Sequence, residues 1–290
     1  VPETISVCNL CEQKNLQVID RDSNIWQCIT CGYVFDNPRP TPEEIAAYYS
    51  TPRKYDAWLE KEAERDLLWR RRLKKVERHK KMGTLLDIGT GTGQFLNIAR
   101  GAFTSVYGTE ISESAVTIAK EKYGLDIVRS QIVAVDFKET TFDNITLFHV
   151  LEHVHDPLAV LEKCRALLCS GGRLFIAVPN ELGSLRNMVR KVLNRLGLKK
   201  IRYHGKLGLP EIKLDGSLDE IHLSHFTPQV LLHFLERQGF TVMENGLDPY
   251  YAEKGLRLLF NNIYYMCLSA VAKLSSMNLY DTIWIVAKKN

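Results

Sequence analysis

The chain has 290 residues, enough for one large domain with a small appendage and a core that needs no disulfide staples. Its apolar content of 45% and charged content of 25% exclude wholesale disorder, and a net charge of +4, from 38 basic against 34 acidic residues, does not announce a nucleic-acid binder. No uninterrupted apolar run reaches the roughly 18 residues that cross a bilayer, and the N-terminus shows no basic-then-apolar export pattern, so the expectation is a cytoplasmic protein.

The first forty residues are read through their cysteines. Cys8-Asn9-Leu10-Cys11 and Cys28-Ile29-Thr30-Cys31 are two Cys-x-x-Cys pairs separated by sixteen residues, inside the window for a four-cysteine zinc site. Two tight turns would each offer two thiolates to one tetrahedral ion, with strands over Gln17 to Asp20 and Ile25 to Gln27 between them. The seven cysteines are an odd number, which suits a reducing compartment and a metal better than a disulfide framework. Residues 1–40 are therefore expected to be a zinc ribbon that needs its metal to fold, the zinc being structural because all four positions are filled. A redox Cys-x-x-Cys would open a helix in a βαβ unit, and no such unit surrounds these pairs.

The proline-dense run Asn37-Pro38-Arg39-Pro40-Thr41-Pro42 ends the ribbon. Thr41 is placed to cap a helix starting at Pro42, and a second helix is predicted from Lys54 to Lys81, so 41–82 are expected to be linker helices. Trp58, Leu59, Ala63, Trp69, Leu73 and Val76 form its apolar arc. The other face carries Arg70, Arg71, Arg72, Lys74, Lys75, Arg78, Lys80 and Lys81, either a solvated surface or a contact for a polyanion.

From Gly83 onward β-rich runs alternate with helical ones: Thr84 to Ile88, Ser105 to Thr109, Ile127 to Arg129, Asn144 to Phe148 and Arg173 to Val178. This is an open α/β sheet. Phe240 to Met243 and Thr282 to Ala287 add two later strands, the last expected at the sheet edge. In such a sheet the ligand lies at the carboxyl ends of the strands, over the first strand-to-helix turn. That turn is Asp87-Ile88-Gly89-Thr90-Gly91-Thr92-Gly93. Its glycines allow a sharp turn and a close approach, while Asp87 can accept a hydrogen bond from a ligand amino group. The glycines fall at every second position rather than as Gly-x-Gly-x-x-Gly, which suits a ligand without pyrophosphate. The next strand ends at Glu110, followed by Ile111, and an acid there is placed to accept both ribose hydroxyls.

With these residues the chain, from about Gly83 to its C-terminus, resembles the class I S-adenosylmethionine-dependent methyltransferases. Phe142 to Pro157 is similar to the fourth-strand motif of the subgroup that includes the ubiquinone-biosynthesis O-methyltransferases, Gly171 to Asn180 to its fifth strand, and His222-Leu223-Ser224-His225-Phe226-Thr227 to the segment that returns over the active site. The resemblance implies a Rossmann-like seven-stranded sheet over 83–290 preceded by the small ribbon, with S-adenosylmethionine as cofactor. It implies that Asp87, Gly89, Thr90, Gly91, Gly93, Glu110 and Ile111 hold the cofactor, with His149 near its methionine end and adenine near Ser130, Gln131 and Ile132. Ribbons of this kind recur on methyltransferases of envelope glycan or natural-product pathways and on one that modifies ribosomal RNA. Ubiquinone-type enzymes carry Glu-x-x-Glu-His where this chain has His149-Val150-Leu151-Glu152-His153, and are helped by a divalent ion. His149 replaces the first glutamate.

Methyl transfer from a sulfonium to a hydroxyl needs alignment and a base for the proton. His149 and His222 are the first candidates, with His153 and His225 behind them. The His-x-x-Glu-His spelling at 149–153 also matches an inverted zinc protease, but Asp156-Pro157 leaves scarcely one helical turn. Between Gly183 and Pro210 stand eight basic residues and no acid: Arg186, Arg190, Lys191, Arg195, Lys199, Lys200, Arg202 and Lys206. Leu185, Met188, Val189, Val192, Leu193 and Leu196 fall among them at helical spacing, so a lid is expected at about 183–221. Its charge fits an anionic acceptor, contact with an acidic membrane surface, or plain solvation. Leu256 to Leu274, broken by Asn261, Asn262 and Lys273, is expected to be a core helix.

Three functions are carried forward. The leading one is O-methylation of a small or lipid-linked acceptor such as a sugar or glycan intermediate, in the cytoplasm or peripherally at the inner membrane face. The others are methylation of RNA, using the ribbon and basic helix as a nucleic-acid surface, and a non-catalytic cofactor-binding module whose ribbon recruits a partner.

Overall fold

A computed structural model describes residues 2–51, 54–138, 140–196, 205–218 and 220–290. Near the N-terminus, β1 (Leu16–Asp20), β2 (Ile25–Cys28) and β3 (Val34–Asp36) form an antiparallel meander. Its first two strands lie within one residue of the expected ones. The third strand's edge is not left bare, because β9 (Ser224–His225) pairs with β3 from far along the chain, Val34 opposite His225 and Phe35 opposite Ser224. Tyr33, Phe35 and Phe226 continue this contact into the main core.

Helix α1 (Pro42–Tyr49) starts at Thr41 as read, with a capping box in which the Glu44 side chain accepts from the Thr41 backbone N–H. The single helix expected from Lys54 to Lys81 is instead two, α2 (Asp56–Glu60) and α3 (Glu62–Glu77), broken where Lys61 leaves helical geometry. The break turns Trp58 onto the glycine turn: a Cβ at Gly91 would come 3.1 Å from its ring. The charged face of α3 is not uniformly solvated either, since Arg65, Arg72 and Lys75 are buried. Arg72 pairs with the buried Asp248 at 2.6 Å, and Lys75 donates to the Leu247 carbonyl at 2.6 Å.

The α/β domain is a seven-stranded sheet built from β4 (Thr84–Ile88), β5 (Ser105–Glu110), β6 (Val128–Arg129), β7 (Phe142–Phe148), β8 (Leu168–Pro179), β10 (Phe240–Leu247) and β11 (Thr282–Lys289). The order is β10-β11-β8-β7-β4-β5-β6, parallel from β8 to β6 with β11 antiparallel between β8 and β10. Thus β11 is not the edge strand expected. Thr282 to Ala287 are all buried, as an interior strand requires, whereas β10 alternates and takes the edge. Helices α4 (Gln94–Ala99), α5 (Glu113–Tyr123), α6 (Pro157–Leu167), α7 (Leu185–Arg195) and α8 (Pro228–Arg237) follow strands or return to them.

One face of the sheet packs on α6, α8 and the ribbon, the other on α3 and α4 around Trp69, Phe95, Phe148 and Trp284. Helix α9 (Gly255–Ser275) departs from expectation. Leu268 is its one buried residue, and Leu256, Phe260 and Leu274 are largely exposed, so it lies on the surface rather than in the core. No helix among the described residues is long and apolar enough to cross a membrane.

Candidate functional site

The turn after β4 is held open by its glycines. Gly89, Gly91 and Gly93 have φ of +70°, +56° and +79°, and a Cβ on Gly89 would lie 2.5 Å from Val150. Asp87 accepts from the Thr146 hydroxyl at 2.6 Å, and burial lifts its carboxyl to about 7 against that bond. Glu110 accepts from the backbone N–H of Gly91, Ile111 and Ser112 at 2.8, 2.8 and 2.9 Å. Thr90 donates to the Asp87 carbonyl at 3.0 Å. The structure therefore brings Asp87, Gly89, Thr90, Gly91, Gly93, Glu110 and Ile111 into one cradle, roofed by Trp58. Ser130 donates its backbone N–H to the Glu110 carbonyl at 3.0 Å, Gln131 is exposed, and Ile132 is buried in the core.

On the far side of this cradle stand the four histidines. His149 follows β7 with φ +58°, a conformation that a side chain other than glycine adopts at some cost. Arg72 donates to its Nε2 at 2.8 Å, Glu152 lies 3.1 Å from Nδ1, and Tyr250 packs on the ring with centroids 4.1 Å apart. Burial beside Arg72 holds its pKa well below the ordinary value. Both nitrogens are thus taken. His225 is enclosed in the same way, between Asp36 at 2.8 Å and Glu181 at 2.6 Å. Burial opposes its charge, but the two carboxylates prevail and raise it to about 9.

His153 and His222 sit with ring centroids 4.9 Å apart. His153 Nδ1 donates to the Ile221 carbonyl at 2.6 Å, which leaves the Nε2 lone pair, and burial lowers the ring to about 4. His222 Nδ1 donates to Glu181 at 2.9 Å with Glu220 3.6 Å from its Nε2; despite burial these carboxylates hold it well above the ordinary histidine range. Glu181 thereby joins His222 to His225, and through it to Asp36 of the ribbon. Sequence reasoning passed over Glu181, Glu220, Arg72 and Tyr250. Glu181 stands just after the end of β8, the end where α/β sheets place their sites, and that rule was the available signal.

Next to His149 opens a cavity of about 260 Å³ lined by Asn180, Glu181, Arg186, Asn187, Arg190 and Glu220, with Tyr250 on one wall. Part of the expected lid forms this lining as α7. Lys199, Lys200 and Arg202 lie outside the described residues. The stretch around Leu207 and Leu209 packs on the ribbon, where Leu207 donates to Asp20 at 2.8 Å and Ser23 to the Leu209 carbonyl at 2.8 Å.

Among the described residues, two groups of side chains have donor sets for a metal. The sulfurs of Cys8, Cys11, Cys28 and Cys31 lie within 4.8 Å of one another, Cys8 to Cys31 at 3.8 Å and Cys11 to Cys28 at 3.5 Å. Four sulfurs about 2.3 Å from a tetrahedral zinc stand about 3.8 Å apart, so the cluster is compatible with zinc. Glu152, His153 and His222 form the second group. Glu152 Oε2 is buried without a hydrogen-bond partner and His222 Nε2 faces only Glu220, at 3.6 Å, so with His222 deprotonated this trio fits a divalent ion, while His149, tied to Arg72, does not join it.

Residues 55–245, more than half of the chain, match the family described as Methyltransferase domain. The chain belongs to the methyltransferase family. Its Rossmann-like domain is that of an S-adenosylmethionine-dependent methyltransferase. Among curated relatives, a ubiquinone biosynthesis O-methyltransferase of Actinobacillus pleuropneumoniae is 33% identical over 107 residues, 33% of this chain and 46% of that protein. An uncharacterised protein of Methanocaldococcus jannaschii is 29% identical over 125 residues, 43% of this chain and 57% of that protein. The chain spans about half the length of the curated relatives it matches. A solved S-adenosylmethionine-dependent methyltransferase of Thermotoga maritima superposes with a TM-score of 0.53 at 16% identity, covering 85% of this chain and all of that one, which shows the shared fold.

Proposed function

We propose that this methyltransferase domain transfers the methyl group of S-adenosylmethionine to a hydroxyl of a small or lipid-linked acceptor, hydroxylated and anionic, of the sugar or glycan class, in the cytoplasm at the inner membrane face. The observation that carries this reading is the cavity beside His149, where Arg190 and Arg186, the latter also paired with Asp281 at 2.9 Å, supply positive charge and Asn180, Asn187, Glu181 and Glu220 suit several hydroxyls. The cofactor rests in the cradle from Asp87 to Gly93, with its ribose over Glu110 and its methyl toward the histidines. His153, neutral and with Nε2 free of a protein donor, takes the acceptor proton, while His222, held charged by Glu181 and Glu220, steadies the oxyanion. His149 and His225 position these groups rather than react, the first through Glu152 and the second through Glu181. A divalent ion held by Glu152, His153 and His222 would require His222 to give up its Nε2 proton; it would then supply Lewis acidity to the acceptor oxygen in place of both histidine roles. The ribbon's zinc is structural and holds β3, and with it Asp36, against His225.

The RNA reading draws less support. Of the basic residues on and just after α3, Arg72 and Lys75 are spent on Asp248, Arg71 on the Tyr251 carbonyl at 2.6 Å, and Lys80 on the Ala102 carbonyl at 2.6 Å. The test is methyl-labelled S-adenosylmethionine offered with sugar nucleotides, glycolipids, phenols and structured RNA. Label in an anionic sugar or glycolipid is expected; label in RNA alone contradicts the reading.

A further inference from the structure

Helix α9 lies on the surface of the protein. It has 21 residues, a length of about 30 Å. At 3.6 residues per turn Leu256, Leu259, Phe260, Ile263, Met266 and Leu274 fall along one stripe, and all six are exposed, Leu256 by 74%, Phe260 by 68% and Leu274 by 90%. Exposed apolar side chains scattered singly are ordinary, but a continuous stripe over five turns is a surface built to be covered. The opposite side of α9 explains how the stripe is held outward. Leu268 is buried there, and Tyr264 and Tyr265 pack on Tyr280 with centroids 5.6 and 5.3 Å apart.

Helix α7 adjoins it. The Arg186 side chain of α7 donates to Asn261 of α9 at 2.9 Å and lies 4.5 Å over the Tyr264 ring. Leu185, Met188, Val189 and Val192 of α7 make a second exposed apolar stripe, and Asn187 and Arg190 on the other face of that helix line the cavity with Ser184 just before it. Neither helix contains an Asp or Glu. Exposed Arg257 and Lys273 flank the stripe of α9, and Arg190 and Lys191 belong to α7.

We infer that α9 and α7 are an interfacial docking surface for an anionic lipid bilayer, lying in the headgroup region with the apolar stripes inward and the basic flanks on lipid phosphates. Two properties select this occupant. An apolar stripe bordered by cations and free of acids is the pattern of helices that lie in a membrane interface. A second copy of the chain would fit it poorly, because pairing through the same stripe would set Arg257 and Lys273 against their own counterparts with no acid on either helix to offset them. The surface also gives the cavity its setting: α7 touches lipid with one face and the cavity with the other, so seated protein meets an acceptor at headgroup level. That last link rests on the proposed acceptor class, whereas the docking itself does not.

The experiment is vesicle co-sedimentation of the full chain. Vesicles of phosphatidylcholine alone are compared with vesicles containing 30 mole per cent phosphatidylglycerol, at low and at physiological salt. The wild type is expected to sediment with the phosphatidylglycerol vesicles at least ~10-fold more strongly than with neutral ones, and less so as salt rises. L259D/F260D, two exposed changes that leave the packed side of α9 intact, is expected to lose binding at least ~10-fold, and R257E/K273E to lose the preference for anionic lipid. Cofactor binding by each variant, measured by calorimetry, verifies that it is folded. The inference is overturned if wild type ignores anionic vesicles, if folded L259D/F260D binds them as wild type does, or if light scattering finds a dimer that L259D/F260D dissolves in a protein without affinity for vesicles. None of these readouts involves methyl transfer, so failure here leaves the proposed reaction standing, and an inactive but lipid-bound protein leaves the docking standing.

Discussion

The two halves of the site are made in opposite ways. The proposed cofactor cradle comes mainly from one stretch of chain, β4 to β5, in which Asp87, three left-handed glycines and Glu110 are placed by consecutive turns and by backbone donors of the same stretch, with Trp58, Thr146 and Val150 packed on it from elsewhere. The acceptor side is assembled from the ribbon, the end of β7, the end of β8 and the returning segment, with Asp36, Glu152, Glu181 and His222 drawn from four separate parts of the sequence. A cradle that is local keeps its shape when distant parts loosen. An acceptor side that is stitched together should fail first.

The largest expected effect breaks the local half. Glu110→Ala removes the acceptor of three backbone N–H groups and, on the proposed reading, of the ribose hydroxyls, so calorimetry should find cofactor affinity reduced by about 100-fold or more. Removal of the ribbon metal, or Cys28→Ser, strikes the other half. With β3 loosened, His225 and Glu181 lose their anchor, and methyl transfer should fall at least ~10-fold while cofactor affinity changes by less than ~2-fold. Equal losses of both would show that the halves are not separable.

The pH responses of the halves should differ too. Asp87 stands at about 7 because it is buried, and on the proposed reading the cofactor's ammonium would favour its carboxylate. Binding must then expel a proton below that value, so Kd should rise up to about tenfold per pH unit as pH falls below 7 and stay level above it. His225 works the other way. Its folded value of about 9 lies above the ordinary 6.5, so the stability it adds is whole below pH 6.5 and is lost as pH rises through 9. The gap in Tm between wild type and His225→Gln should therefore shrink from pH 7 to pH 10. The smallest effect belongs to the exposed face of α3, where Arg70, Lys74 and Arg78 changed together to Ala should alter turnover of a small acceptor by less than ~2-fold. A large loss confined to RNA would revive the nucleic-acid reading.

The contrast between local and assembled also explains what could be read from the sequence. Alternating apolar runs and turn glycines placed the sheet strands, and the glycine turn from Asp87 to Gly93 with Glu110 beside it followed, because its signals are contiguous. The paired Cys-x-x-Cys turns marked the ribbon, but nothing near Val34 announced that Ser224 and His225 would complete its sheet. Periodicity ranks faces and does not say what covers them. It made α9 a core helix, although its apolar stripe points to solvent, and it put Arg72 and Lys75 on a solvated face, although Asp248 awaits them 173 residues beyond Lys75. An edge or interior strand cannot be told from order in the chain, so β11 had to be relocated by its burial on both faces.

The most direct test of the account is the structure of the protein bound to S-adenosylhomocysteine. The account predicts ribose hydroxyls on Glu110, the amino acid end at Asp87, and a sulfur facing the cavity lined by Glu181, Arg186 and Glu220 with His153 and His222 at its side. A sulfur directed away from that cavity, or a cofactor seated elsewhere than on the turn from Asp87 to Gly93, would contradict it.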